Sequence, residues 1–224
     1  MKFILTAGWD DGVADLTERL VHELADGRRV LWLVSGGSNV LASVHIMDSI
    51  PPKLSENLSI MLVDERYGEP GHADSNWAQL LQAGFKGDKA TLLPALEEGL
   101  SFKRTIERYN QLATRALDDN EVVIAQLGIG DDGHLAGILP GSPAAVETDA
   151  LVVGYKSDPY TRLTLTFAAL RHITAAYAFA FGDNKRKALK ILQRQSLPLG
   201  EQPAQILKQL PKAYLYSDQV GSSR

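Results

Sequence analysis

Not one of the 224 residues of this chain is cysteine. That absence excludes disulfides, thiolate catalysis and cysteine-held zinc or iron–sulfur centres, and it fits a reducing compartment. Basic blocks are missing too. Lys and Arg total 23 against 27 Asp and Glu, a formal charge of -4, so nothing concentrates positive charge as nucleic-acid phosphates require. No nucleic-acid partner is expected. No apolar run approaches the ~18 residues of a membrane span. The opening Met1–Ala7 has the look of a signal peptide, but Gly8-Trp9-Asp10-Asp11 interrupts it too early. Linkers rich in Ser or Pro, and internal repeats, are also lacking. What is present is a 45% hydrophobic chain, long enough to bury a sizeable core. The expectation is one domain over residues 1–224, in a soluble, cytoplasmic protein.

The apolar residues alternate between two patterns. Val13, Leu16, Leu20 and Leu24 fall at helical spacing, as do Val40, Leu41, Val44 and Met47, and again Phe102, Ile106, Tyr109, Ala113 and Leu117. Between them stand short continuous apolar runs, Val30–Val34, Leu58–Val63, Val122–Leu127 and Ala176–Phe181, of the kind that suits parallel strands buried on both faces. Ala213–Tyr216 reads as a last strand and Lys185–Leu192 as a helix. Strand and helix in alternation with short connections predict an α/β fold: an open, mostly parallel, doubly wound sheet with helices on both faces. Leu151–Gly154 and Leu163–Thr166 lie close together and predict a small β-rich excursion near residues 149–171.

Polar chemistry gathers where the apolar runs stop, which is where α/β proteins build their sites. Ser35-Gly36-Gly37-Ser38 separates a strand from a helix. It is either an anion loop, with glycine backbone and a helix N-terminus offering N–H groups, or an ordinary turn with Ser38 as N-cap. The spacing is neither the dinucleotide fingerprint nor a P-loop. Asp64-Glu65-Arg66 ends the next run and can hold a sugar hydroxyl and an anion, or form a solvated charged turn. Downstream, Ser75 is a candidate cap for a helix carrying Trp77 and Leu80. The stretch Leu127-Gly128-Ile129-Gly130-Asp131-Asp132-Gly133-His134 is the most informative. Gly133 permits a tight turn. His134 is a residue type that exchanges protons near neutral pH. Asp132 either orients the histidine or holds a substrate hydroxyl. Last, Gly182-Asp183-Asn184-Lys185 puts a lysine at a helix start, where a cation opposes the helix dipole unless an anion binds there too. Arg186, Lys187 and Lys190 form a solvated face.

These segments, in this order, resemble the glucosamine-6-phosphate isomerase/6-phosphogluconolactonase family, over about Ser35 to Lys190. Ser35-Gly36-Gly37-Ser38 looks like the family's phosphate loop. Asp64-Glu65-Arg66, with His72-Ala73-Asp74-Ser75-Asn76, is similar to the lactonase form of its second motif, and Leu127–His134 to its signature segment. Arg162-Leu163-Thr164-Leu165-Thr166 and Gly182–Lys185 are similar to later blocks. The resemblance implies hydrolysis of 6-phosphoglucono-1,5-lactone to 6-phosphogluconate, a step of the pentose phosphate pathway, without metal or cofactor. It implies His134 as the general base that activates water, with Asp132 and Asp64 as further catalytic residues. Gly36, Gly37, Ser38, Arg66, Arg162 and Lys185 are the implied phosphate ligands. The partner is then a small phosphosugar lactone, with the protein a monomer or small homo-oligomer.

The sister activity of the same family is deamination and isomerisation of glucosamine 6-phosphate. There a glutamate stands five residues after the motif histidine; here that position is Leu139, which favours the lactonase. A third possibility is a sugar-phosphate sensor that binds without turnover. The chain departs from the family's usual pattern at Asn39-Val40 and at Leu135, Gly137, Ile138 and Leu139.

Overall fold

The structure, a computed structural model, describes residues 1–87 and 89–221. Its strands are β1 Lys2–Leu5, β2 Val30–Val34, β3 Leu58–Leu62, β4 Asp64–Arg66, β5 Thr91–Leu93, β6 Val122–Gly128, β7 Val152–Ser157, β8 Tyr160–Leu165, β9 Ala175–Phe179 and β10 Ala213–Ser217. Its α-helices are α1 Asp10–Ala25, α2 Val40–Ser49, α3 Asn76–Gln82, α4 Phe102–Asp119, α5 Phe167–Leu170 and α6 Arg186–Arg194. Seven strands form a parallel sheet in the order β1-β10-β9-β6-β2-β3-β5. The other three, β4-β8-β7, form a small antiparallel sheet.

The strand pleat explains why the central runs are continuously apolar. Successive side chains point to opposite faces of a strand. Val30, Trp32 and Val34 of β2 join Leu16, Leu20 and Leu24 of α1 and Ile46 and Met47 of α2 in one core layer. Leu31 and Leu33 join Tyr109, Ala113 and Ala116 of α4 and Leu189 and Leu192 of α6 in the other. A strand covered on both faces has no polar side to show. This is the doubly wound arrangement that the alternating pattern predicts, and the β-rich excursion is the β7–β8 hairpin.

Three elements differ from the expectations. The run Leu58–Val63 does not end in a turn at Asp64. Val63 donates to Val34 O (2.9 Å) and accepts from Leu165 N (2.9 Å), so it hands the chain from the large sheet to the small one. Asp64–Arg66 then pairs with β8 as β4. The signal-peptide-like opening contains the edge strand β1, whose outer residues Lys2 and Leu5 are exposed and which pairs only with β10. β5 is three residues long at the opposite edge. Short, half-exposed edge strands leave little period in a sequence.

From β2 the chain winds outward through β3 to β5, then returns to the other side of β2 as β6, β9 and β10. The reversal falls between β2 and β6, and open α/β sheets leave a crevice at the strand C-termini beside such a switch. No α-helix among the described residues is long and apolar enough to cross a membrane.

Candidate active site

One cleft opens at that switch point. Its lining comprises Ser35–Asn39 after β2, Asp64, Arg66 and Asn76, then Gly128–Gly130, His134 and Ala136 after β6, with Arg162 from β8 and Lys185 after β9. It encloses roughly 600 Å³, open solvent at the mouth included. Of the residues implied as catalytic or phosphate-binding, all line it except Asp132, which stands behind His134.

The β6 turn is built around that pair. His134 N and Nδ1 both meet Asp132 Oδ1, at 2.9 and 2.7 Å. Burial pushes the Asp132 carboxyl up, but the hydrogen bonds from His134 outweigh it and hold the group below its ordinary 3.8. An ionised carboxylate only accepts hydrogen bonds. Nδ1 therefore carries the proton in the neutral form of the ring, which leaves the lone pair on Nε2. Asp132 Oδ1 thus contacts both the backbone and the ring of His134. Two glycines allow the turn. Gly133 has φ of 84°, the left-handed region. Gly130 lies beneath the imidazole: a Cβ there would stand 2.1 Å from His134 Nδ1.

The second wall comes from β4. Asp64 is 7% exposed. Burial raises its carboxyl above the ordinary value; the charges of Arg66, Arg162 and His134 and a hydrogen bond from Asn76 oppose that rise. Asn76 Nδ2 donates to Asp64 O (3.0 Å) and Oδ2 (3.4 Å). Glu65, read with its neighbours either as holding ligand or as part of a solvated charged turn, is fully buried. The strand pleat turns it away from the cleft, onto the N-terminus of α3. There its carboxylate accepts from Arg66 N (2.7 Å), Asn76 N (2.7 Å), Ser75 Oγ (2.9 Å) and Trp77 N (3.0 Å). Burial raises its titration, and these four bonds oppose the rise. A carboxylate at a helix N-terminus satisfies orphan N–H groups and favours the dipole. Ser75 is the N-cap expected, accepting from Ala78 N at 3.1 Å.

Arg66 and Arg162 stand on the same small sheet as Asp64, and with Lys185 they share the cleft with it without forming a salt bridge. Among the described residues, salt bridges involve other lysines and arginines, and none includes Arg66, Arg162 or Lys185. Lys185 precedes α6 at its N-cap, the position expected of it. Ser38 departs from one of its two readings. It lies inside a 3-10 turn, Gly37–Asn39, and the residue before α2 is Asn39, whose side chain makes no cap bond. A buried network holds that turn: Gln126 Nε2 donates to Asn39 O (3.1 Å), and the single Ser43 hydroxyl proton lies between Gln126 Oε1 (2.8 Å) and Asn39 O (3.1 Å). The first N–H groups of a helical segment have no partner within it, so Gly37 and Ser38 bring donors to the cleft beside three cations. The arrangement can bind a polyanion at one end and move a proton at the other.

Asn76 and Asn39 were not singled out as site residues, yet both line the cleft. For Asn76 a signal existed. Ser75 as N-cap places the next residue at the mouth of α3, close behind the Asp64 strand end.

Comparison with known proteins gives the family. The family model described as glucosamine-6-phosphate isomerases/6-phosphogluconolactonase matches residues 8–215. A 6-phosphogluconolactonase of Pseudomonas aeruginosa is 31% identical over 168 residues, 70% of this chain and 68% of that protein. A glucosamine-6-phosphate deaminase of Lactobacillus johnsonii is 25% identical over 100% of this chain and 97% of its own length. The crystal structure of a 6-phosphogluconolactonase from Shewanella baltica superposes with a TM-score of 0.79 over 96% of both chains at 21% identity, a likeness of fold.

Proposed function

The chain belongs to the glucosamine-6-phosphate isomerase/6-phosphogluconolactonase family, and from that membership we propose that it hydrolyses 6-phosphoglucono-1,5-lactone to 6-phosphogluconate. One observation carries the proposal. The hydrogen-bonded His134–Asp132 pair stands in a cleft with Arg66, Arg162 and Lys185, none of them salt-bridged. A free proton acceptor beside surplus positive charge is what a phosphorylated ester needs.

In the proposed reaction His134 Nε2 takes a proton from water as the oxygen attacks the lactone carbonyl. The tetrahedral intermediate then collapses, the bond to the ring oxygen breaks, and His134 returns the proton to that oxygen. Asp132 keeps Nδ1 protonated and the ring oriented. Asp64, steadied by Asn76, receives a sugar hydroxyl. Arg66, Arg162, Lys185, Ser38 and the backbone N–H groups of Gly36 and Gly37 hold the phosphate. No step is routed through a metal. General-base catalysis contributes about 10²–10⁴-fold, or roughly 3–5 kcal/mol. An activated ester needs little more than this and a fixed orientation, which remote phosphate binding supplies.

The test is lactone hydrolysis above the spontaneous rate, with a His134→Ala variant beside the wild type. Wild-type turnover in that variant would remove His134 from the mechanism. A second reading, deamination of glucosamine 6-phosphate, has support in the Lactobacillus johnsonii relative. Leu139 is apolar and outside the cleft lining, so no ammonia release from that sugar is expected. Phosphosugar binding with neither activity would favour a sensor.

A further inference from the structure

Two arginines of the cleft sit where electrostatics opposes them. Arg66 of β4 and Arg162 of β8 are register partners across an antiparallel pair, and like charges directly opposite destabilise such a pair. No acid among the described residues forms a salt bridge with either. Each also buries an Nε without a hydrogen-bond partner. Arg66 Nη1 donates to Asp74 O at 3.0 Å, the buried Asp64 carboxyl interacts with both charges without a salt bridge, and the two guanidinium groups also share one aromatic ring. Tyr160 begins β8 two residues before Arg162, on the same face of the strand, and diagonally across from Arg66. The guanidinium carbon of Arg66 lies 5.0 Å from its ring centroid and that of Arg162 lies 5.3 Å away. Guanidinium groups are weakly hydrated and stack well on aromatic faces, so a single π-system offsets part of the repulsion between two cations.

We propose that Tyr160 is a positioning residue of the phosphate site: its ring fixes the spacing of the Arg66 and Arg162 guanidinium groups, so that both meet one dianionic phosphate without rearrangement. This rests on the phosphosugar reading above. Tyr160 does not line the cleft, so its effect runs through substrate affinity and not through turnover. A multiply charged anion at this pair cancels a repulsion that a neutral sugar would leave in place.

The experiment compares Tyr160→Phe and Tyr160→Leu with the wild type, measuring kcat and KM for 6-phosphoglucono-1,5-lactone and the dissociation constant of inorganic phosphate by calorimetry. Tyr160→Phe keeps the ring, and both constants stay within about twofold of wild type. Tyr160→Leu removes it, and KM and the phosphate constant rise together by about tenfold, with kcat unchanged; tenfold corresponds to about 1.4 kcal/mol. Unchanged KM and phosphate affinity in Tyr160→Leu overturn the proposal. So does equal loss in Tyr160→Phe, or a fall in kcat at constant KM. If the wild type fails to hydrolyse the lactone, the lactonase reading falls, and the phosphate titrations still decide the role of Tyr160.

Discussion

Replacing Gly130 by alanine isolates the geometry of the proposed base from its chemistry. The position is not in the left-handed region, so alanine adds no backbone strain there. What it adds is a methyl group 2.1 Å from His134 Nδ1, 2.2 Å from Cε1 and 2.7 Å from Asp132 Oδ1. Real Cβ contacts essentially never fall under 3.0 Å, so the imidazole must retreat by about 1 Å, more if it seeks ordinary contact. Its side chain is 34% exposed and free to swing outward. That motion breaks the 2.7 Å bond to Asp132 and carries Nε2 off its line to substrate. A misplacement of about 1 Å costs on the order of 10² in rate, or roughly 2.7 kcal/mol. The loss cannot exceed that of His134→Ala, about 10²–10⁴-fold for a general base. Because the displaced ring is partly solvated, stability falls by only about 0.5–1.5 kcal/mol, the net worth of the one hydrogen bond lost. The assay is kcat for lactone hydrolysis, corrected for the spontaneous rate, beside thermal unfolding of the same preparations. Wild-type kcat with an undisturbed melting curve would refute the placement of His134 over Gly130. A large fall in stability would refute the claim that the clash is relieved by side-chain motion.

Three further outcomes follow from the same contacts. Asp132 titrates below its ordinary 3.8 in the native state, so the native protein binds fewer protons than the unfolded chain between the two values. Its stabilising contribution is present above about pH 4 and is lost as pH falls through the native value; urea titrations from pH 7 to 3 should show the gap between wild type and Asp132→Asn closing over that window. Glu65→Gln keeps the shape of a fully buried side chain but turns an amide NH₂ toward donors that now meet an acceptor. Leaving a buried donor unsatisfied costs about 1–3 kcal/mol, so the denaturation midpoint falls although Glu65 faces no substrate. Asn110→Ala removes the Oδ1 that accepts from Leu151 N and Val152 N at 3.0 Å each. It should cost about 1–3 kcal/mol and speed amide hydrogen exchange in β7 more than in β2.

Much of this molecule is legible in its sequence. The doubly wound sheet follows from runs such as Val30–Val34, because a strand covered on both faces must be apolar throughout. The positions of the glycine turns follow from where those runs stop, and the order of the turns carries the family resemblance. The Ser75 cap and the Asp132–His134 contact are local, spanning two or three residues, so neighbouring residue types suffice to suggest them. Glu65 was not legible. A charged triplet after a strand reads as solvated, and only the return of α3 across the β4 end gives that carboxylate four donors and takes it out of water.

The same division runs through the site. By itself the sequence determined which residues end the strands, since apolar period and turn chemistry act over a few positions. It did not determine which of those residues meet. The antiparallel pairing of β4 with β8 sets Arg66 opposite Arg162 from nearly a hundred residues away and brings both over Tyr160. Strand register is a choice among non-local partners, made by the whole core at once. Only the tertiary structure therefore decided that two arginines, one buried aspartate and a histidine share a single cleft.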